Sequence, residues 1–442
     1  MPNSWFQTLK LYSDIRLLWI FLMGMASGFP FALIGSNLSG WLKDEGISRG
    51  DIGALGSVAL IYAFNFLWAP LIDRVPLPGL SRFGQRRSWI LLMQMLLLML
   101  LLAIAQVSPS SQLALFGVLA ALIALCSATQ DIAIDAFRID QFSPAESDKM
   151  PAAAAMSVIG WWSGYSWPGY LAFSSADQIG WNQVYLLMAG VLVALIIATL
   201  WVKEPKTERD ILQKKAEASV QHDLHLSRES SWLLVTVLEP FRDFFRRNGV
   251  RIALSLLLFI FLFKIGEAFL GRMSIVFYRE VGFSNEQIGQ YSKMFGWVLT
   301  VIFTLIGSLF NTRFGVVRGL MVGGVAMAAS NLMFALMAQL GPHEWLFALT
   351  LIVDNFTGAF ASVAMVAFLS AITGRAFSAT QYALLASLGN LGRTSLAGLS
   401  GYLIDWLGSW SLFFIVTTIM VLPSLILLWG IRHRISRLIE QD

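Results

Sequence analysis

The stretch Ser127–Asp140 reads SATQDIAIDAFRID. It places Gln130, Asp131, Asp135, Arg138 and Asp140 directly after the uncharged apolar run Leu113–Cys126. Intervals of four and three set Asp131, Asp135 and Arg138 near one face of a helix. Carboxylates at membrane depth are expensive and normally face a bundle interior or a water-filled cavity. A second charged group lies in FKIGEAF, where Lys264 and Glu267 are three residues apart and can pair on one helix face. A half-desolvated carboxylate can take up and release protons near neutral pH. Asp131, Asp135 and Glu267 are therefore candidates for coupling protons to a conformational change. Once neutralised, such a group no longer needs its cationic partner, and one part of the molecule is free to rock against another. The alternative is a static structural ion pair.

Further polar residues interrupt apolar runs at Arg272, Lys293, Asp354, Asn355 and Arg393. Gln130, Lys264, Asn355 and Arg393 are candidates to contact a solute. Arg272 and Lys293 suit a cavity mouth or the interface, and Asp140, Asp148 and Lys149 are expected to be solvated near a cytoplasmic loop. Gly160–Gly169 reads GWWSGYSWPG. Its glycines allow close helix contact, and its proline can loosen the backbone beside a cavity. Trp161, Trp162 and Tyr165 offer stacking faces to a large amphiphilic ligand such as a sugar, although Trp and Tyr also populate membrane interfaces.

The elements that position these groups follow from composition. Of 442 residues, 57% are hydrophobic and 13% charged, against about 25% charged in soluble domains. Continuous apolar runs recur from end to end, so the chain is an all-α polytopic membrane protein and not an alternating β-barrel. Twelve spans are expected, at about 17–41, 51–72, 88–107, 112–137, 150–173, 182–202, 250–278, 286–310, 317–338, 344–372, 378–404 and 411–431. With both termini in the cytoplasm, 24 of the 31 Lys and Arg fall on that side and 3 on the other, as the positive-inside rule requires. This distribution accounts for the basic balance without nucleic acid. The one cysteine, Cys126, allows no intrachain disulfide. His222 and His225 lie in a charged linker without partner ligands, so neither a metal site nor a cofactor is expected. A membrane enzyme is disfavoured because no P-loop, HExxH or GxSxG pattern is present.

The hydrophilic segment after residue 202 divides the chain into an N-terminal six-helix bundle (1–202), a cytoplasmic linker (203–249) and a C-terminal six-helix bundle (250–442). Within the linker, residues 230–249 mix Trp232, Leu233, Phe241, Phe244 and Phe245 with Arg242, Arg246 and Arg247. That pattern suits a helix on the cytoplasmic leaflet, broken at Pro240, or a plain basic loop. The two bundles repeat. Gly46-Ile47-Ser48 returns as Gly282-Phe283-Ser284, Arg82-Phe83-Gly84 as Arg313-Phe314-Gly315, and Gly169-Tyr170 as Gly401-Tyr402. Two parallel six-helix repeats resemble the major facilitator superfamily. The loop Pro70–Arg74 followed by Arg82–Arg87 resembles that superfamily's Gly-x-Leu-x-Asp-Arg-x-Gly-Arg-Arg motif, with Pro70 in place of glycine and Val75–Ser81 inserted. Asp73, Arg74, Arg86 and Arg87, with Arg138, are candidates for a gating charge network; the arginines could also be simple positive-inside anchors.

A narrower resemblance rests on SATQDIAIDAFRID, FKIGEAF, Ser378–Leu385 (SATQYALL), Ala26–Pro30 and Phe66–Arg74. These are similar to signatures of the AmpG family of muropeptide permeases, and the likeness runs along nearly the whole chain. The resemblance implies a protein of the bacterial inner membrane that imports anhydro-muropeptides (GlcNAc–anhydro-MurNAc, with or without peptide) from periplasm to cytoplasm, driven by protons. It implies a place in peptidoglycan recycling and, in some species, in β-lactam resistance. Its partners would be that solute, protons and membrane lipids, with the chain acting as a monomer. By motif position it points to Gln130, Asp131, Asp135, Lys264 and Glu267. The seventh-helix acid is Glu267 where family members often have Asp, and some members have a further C-terminal membrane region. A siderophore or other solute permease on the same scaffold is the alternative. The acids of the fourth helix have no charged counterpart near Ala361–Ser370, so Lys264 is the expected cross-bundle partner.

Overall fold

Nine helices long and apolar enough to cross a membrane occur among the described residues: Ile15–Asp44, Gln85–Ile104, Leu113–Asp140, Ala145–Trp201, Val250–Val281, Gly296–Phe314, Val316–Leu340, Glu344–Ile372 and Trp410–Ser436. Only a helix lets such a segment satisfy its own backbone polar groups in lipid. The structure is a computed structural model describing residues 11–205, 211–215, 217–218, 232, 235–236, 238–283, 296–397 and 399–441. Three features reconcile nine long helices with twelve expected crossings. Met150–Trp201 is interrupted at Gly180, whose φ of 76° suits only glycine, and so holds the fifth and sixth crossings. The second crossing is irregular, built from Arg49–Gly56, the tight turns Ser57–Ala63 and Asn65–Leu67, and Ala69–Arg74. The eleventh is divided into Ser378–Ala397 and Ser400–Leu407. The start of the eighth expected span lies outside the described residues.

Two of the three sequence repeats are repeats of backbone geometry. Gly84 and Gly315, one residue before the third and ninth crossings, have φ of 94° and 89°; Gly46 and Gly282 have 75° and 114°. These four glycines mark turns that residues with a side chain adopt poorly, whereas Gly169 and Gly401 lie inside helices.

Packing differs between the two ends of the molecule. At one end, separate cores form: Trp41, Phe116 and Tyr185 in the N-terminal half, and Phe277, Phe334, Phe347 and Phe414 in the C-terminal half. At the other end the cores are shared. Ile139, Ala154 and Ala155 pack with Phe244, Leu320 and Phe368, while Ala69, Ile72 and Phe137 pack with Ala379 and Ala383. Ile435, near the C-terminus, belongs to a shared core, and Tyr12, near the N-terminus, donates to Ser308 Oγ at 2.6 Å. The shared end is therefore the one carrying both termini. There Asp14 caps the first crossing through Arg16 N at 3.0 Å. Hydrogen bonds from Arg16 hold its carboxyl well below the usual carboxylate range. Its contribution to stability is full at neutral pH and is lost only as pH falls through that lowered value.

The linker helix Glu239–Asn248 does not break at Pro240; the proline stands in its first turn, where no backbone N–H is needed. Its Phe244 is buried, while Arg242 and Arg246 are more than half exposed. Most of the linker before it lies outside the described residues.

Candidate functional site

The shared end is closed by a buried charge knot. Arg86 donates from Nη2 to Asp73 Oδ1 at 2.8 Å and from Nε to Asp140 Oδ2 at 3.1 Å, and the Arg86 side chain is fully buried. Three other donors to Asp73 come from the far half of the chain: Ala379 N at 3.2 Å, Thr380 N at 2.8 Å and Thr380 Oγ1 at 2.6 Å. Asp73 thus sits at the N-terminus of Ser378–Ala397, where unpaired N–H groups favour an anion. Ser378 Oγ links the same parts, donating to Asp140 Oδ1 at 3.0 Å and accepting from Arg86 Nη2 at 2.9 Å. Asp140 is not solvated as its position beside a loop suggested. The fourth helix extends through it, and burial is tolerated because a buried guanidinium faces it.

The other gate candidates divide. Arg74 donates to Gln213 Oε1 at 3.3 Å and pairs with Glu217, tying the second crossing to the linker. Gln213 in turn donates to Ala376 O at 2.7 Å. Arg87 binds within its own half, to Thr199 O at 3.2 Å and Leu200 O at 2.7 Å. A second knot lies beside the first: Gln381 Oε1 accepts from Gly374 N at 2.7 Å and Arg247 Nη2 at 3.0 Å, and its Nε2 donates to Pro240 O at 2.9 Å. Gln381→Ala leaves these buried groups short of partners, at about 1–3 kcal/mol for each one that finds no substitute. It is expected to lower the thermal unfolding midpoint of the purified protein by several degrees, and Gln381→Glu, which keeps the acceptor for Arg247 but sets a carboxylate oxygen against Asp243 Oδ2 and Pro240 O, also lowers it.

Deeper in the membrane, Arg138 makes the cross-half contact expected of Lys264. Its Nη1 pairs with Asp135 Oδ1 at 2.5 Å and donates to Ser157 Oγ at 3.0 Å; Nη2 donates to Ser370 Oγ at 3.3 Å, and the guanidinium lies 4.8 Å from the Tyr382 ring centroid. Lys264 pairs instead within its own half, with Glu267 Oε2 at 3.3 Å and Ser362 Oγ at 2.7 Å. The uncharged stretch Ala361–Ser370 therefore supplies hydroxyls to both cations. Asp131 has no ion-pair partner among the described residues, and its Oδ1 is buried without a hydrogen bond. Gln130 is fully buried and donates to Ala26 O at 2.7 Å. That carbonyl lies four residues before Pro30 and so receives no helical donor, which explains a glutamine at this depth.

Away from the closed end is a cavity of about 1010 Å³. Trp162, Tyr165, Trp167, Tyr170 and Phe173 line it from the fifth crossing, and Lys264, Glu267, Asp354, Asn355 and Ser362 from the seventh and tenth. The helix breaks at Lys264 (φ −104°, ψ 12°), separating Val250–Phe263 from Ile265–Val281. Trp161 lies behind the wall, stacked on Tyr165 at 5.5 Å. The Arg393 side chain lies outside what the structure describes. Sequence reasoning assigned no role to Ser378, Thr380 or Gln381. Their Ser-x-x-Gln spacing, a helix-start signal, was available, but nothing local says which carboxylate the helix end would meet.

A family model described as Major Facilitator Superfamily matches residues 20–284. The chain is 35% identical to an anhydromuropeptide permease of Escherichia coli K12, over 97% of this chain and 82% of that protein. It is 31% identical to a putative transporter AmpG 4 of Rickettsia conorii, over 97% and 99%. Among solved structures it is similar to the proton:xylose symporter XylE (TM-score 0.65, 14% identity, 94% of each chain) and to FucP in the outward conformation (TM-score 0.66, 13% identity, 94% and 98%). At these identities the structural likeness speaks to the fold.

Proposed function

Since the chain belongs to the AmpG family of muropeptide permeases within the major facilitator superfamily, a group of multi-pass membrane transporters, we propose that it imports anhydro-muropeptides from periplasm to cytoplasm by proton-coupled alternating access. The bundles 1–202 and 250–442 rock about the linker 203–249, as a monomer in the bacterial inner membrane with both termini cytoplasmic. The observation that carries this reading is the cavity of about 1010 Å³, aromatic on one wall and charged on the other, above a closed end. An amphiphilic disaccharide stacks its ring faces on Trp162 and Tyr165 and presents hydroxyl and acyl groups to Lys264 and Asn355.

With the terminal end cytoplasmic, the closed knot makes this the state that receives solute from the periplasm. Asp131, Asp135 and Glu267 are the proton-exchanging acids. Protonation of Asp135 removes the charge that holds Arg138, and Arg138 is the residue that bridges to Ser370 and Tyr382. Protonation of Glu267 releases Lys264 for the solute. Asp73, Arg86 and Asp140 then part from the eleventh crossing to open the cytoplasmic side.

The test is uptake of radiolabelled GlcNAc–anhydro-MurNAc into proteoliposomes under an imposed pH gradient. Gradient-dependent accumulation is expected, reduced at least tenfold by Asp131→Asn or Glu267→Gln with the variants still folded. Normal uptake by both variants would remove the coupling assignment. Uptake competed by siderophores and not by the disaccharide would point to the other cargo.

A further inference from the structure

The charged wall of the cavity does not balance. Among the described residues lining it Lys264 is the one cation, and Glu267 already holds it at 3.3 Å. Asp354 lines the same wall. Its Oδ1 accepts from Ser330 Oγ at 2.8 Å, and among the described residues no Lys or Arg comes within ion-pair distance of it. With both acids ionised, the wall carries one negative charge in excess. A carboxylate held in a membrane protein faces a counter-charge or a water-filled cavity, and here the cavity is where a counter-charge can arrive. The opposite wall suits the same visitor, because the faces of Trp162, Trp167 and Tyr165 attract cations as well as sugar rings. The other ionisable groups near Asp354 are tyrosines, Tyr165 and Tyr170 on the cavity and Tyr278 buried behind it, and none supplies a positive charge.

We propose that Asp354 forms an ammonium subsite, so that the cavity selects cargo carrying a free amine. Resting on the transport reading above, this makes the preferred cargo a peptide-bearing muropeptide with an unacylated amino group, while the sugar engages the aromatic wall. Lys264 is the counter-ion of Glu267 in the empty cavity, and the cargo's ammonium supplies the partner that Asp354 lacks there.

The experiment uses the full-length protein in proteoliposomes, with uptake of labelled GlcNAc–anhydro-MurNAc as reporter. The competitors are one peptide-bearing muropeptide with its free amine, the same compound N-acetylated, and the same compound N-methylated so that the charge is kept. The free-amine and methylated competitors are expected to inhibit the wild-type protein at about tenfold lower concentration than the acetylated one, the order of one charge-assisted hydrogen bond. In Asp354→Asn that ratio falls to about one, and in Asp354→Glu it persists. Equal inhibition of the wild type by all three, or a tenfold ratio retained in Asp354→Asn, would overturn the subsite. The same ratio read as thermal stabilisation of the purified protein by each competitor does not depend on transport. It therefore separates failure of the subsite from failure of the transport reading.

Discussion

Replacing Arg86 with alanine is expected to open the terminal end of the molecule and cut uptake at least a hundredfold. The substitution removes the one side chain among the described residues that hydrogen-bonds Asp73, Asp140 and Ser378 together. Two carboxylates with side chains at most 2% exposed are then left without their cation. Stranding buried charge in this way costs about 3–5 kcal/mol. In the cycle proposed above the loss falls on the closed state, where the eleventh crossing lies over Asp73 and keeps water from it. A shift of that size moves a two-state equilibrium by roughly two to four orders of magnitude, enough to deplete the closed state. The readout is maleimide labelling of Ala383→Cys in a Cys126→Ser background. Ala383 is 4% exposed and packs in the shared core, so labelling from the side that carries the termini should rise sharply with Arg86→Ala. Arg87→Ala changes charge equally, but the hydrogen bonds its side chain makes run to Thr199 and Leu200 in its own half, and it should leave labelling near the starting level. If Arg86→Ala labels no faster and transports within twofold of the wild type, the knot is not the gate.

Gly164→Leu is expected to lower the yield of folded protein and drop the unfolding midpoint by a few degrees. The first and fifth crossings meet backbone to backbone through Gly24, Gly28, Gly160 and Gly164. A Cβ on Gly164 would stand 2.1 Å from Met25 O, and one on Gly28 would stand 2.0 Å from Trp161 O. Neither obstacle is the end of a flexible side chain, so a helix must move. Moving it separates Gln130 from the Ala26 carbonyl and displaces the aromatic wall carried by the fifth crossing. Overpacking costs about 1–3 kcal/mol where neighbours can adjust, and here they adjust poorly. Gly190→Ala is the control, since nothing lies within 4 Å of its Cβ position. An unchanged midpoint for Gly164→Leu would mean that the two helices do not pack this closely.

Several local features of the site were legible in the chain. Lys264 and Glu267 pair because three residues of helix bring them together, and the repeated glycines Gly46/Gly282 and Gly84/Gly315 reappear as paired positive-φ turns. The tenth span, expected at 344–372, is the helix Glu344–Ile372. What misled the reading was distance along the chain. Asp140 looked solvated because the next residues read as a loop, yet its partner Arg86 is 54 positions away. Lys264 looked like the natural partner for the fourth-helix acids because it was the conspicuous cation of the other half; Arg138, beside Asp135 on the same helix, takes that place. Gln130 was read toward solute, but its use is set by a proline on another helix.

The sequence by itself determined the class of protein, its repeat and the family, because hydropathy, helical periodicity and short motifs are local properties that survive without coordinates. Only the tertiary structure decided which half each cation holds, which end is closed and which acid is left facing the cavity. Those outcomes depend on contacts between residues from 54 to 307 positions apart. The apolar pattern requires charged residues to be buried together and does not say with whom. Asp131, Asp135 and Arg138 thus announce a polar face. It is the packing of the tenth and eleventh crossings, through Ser370 and Tyr382, that turns the face into a junction between two halves.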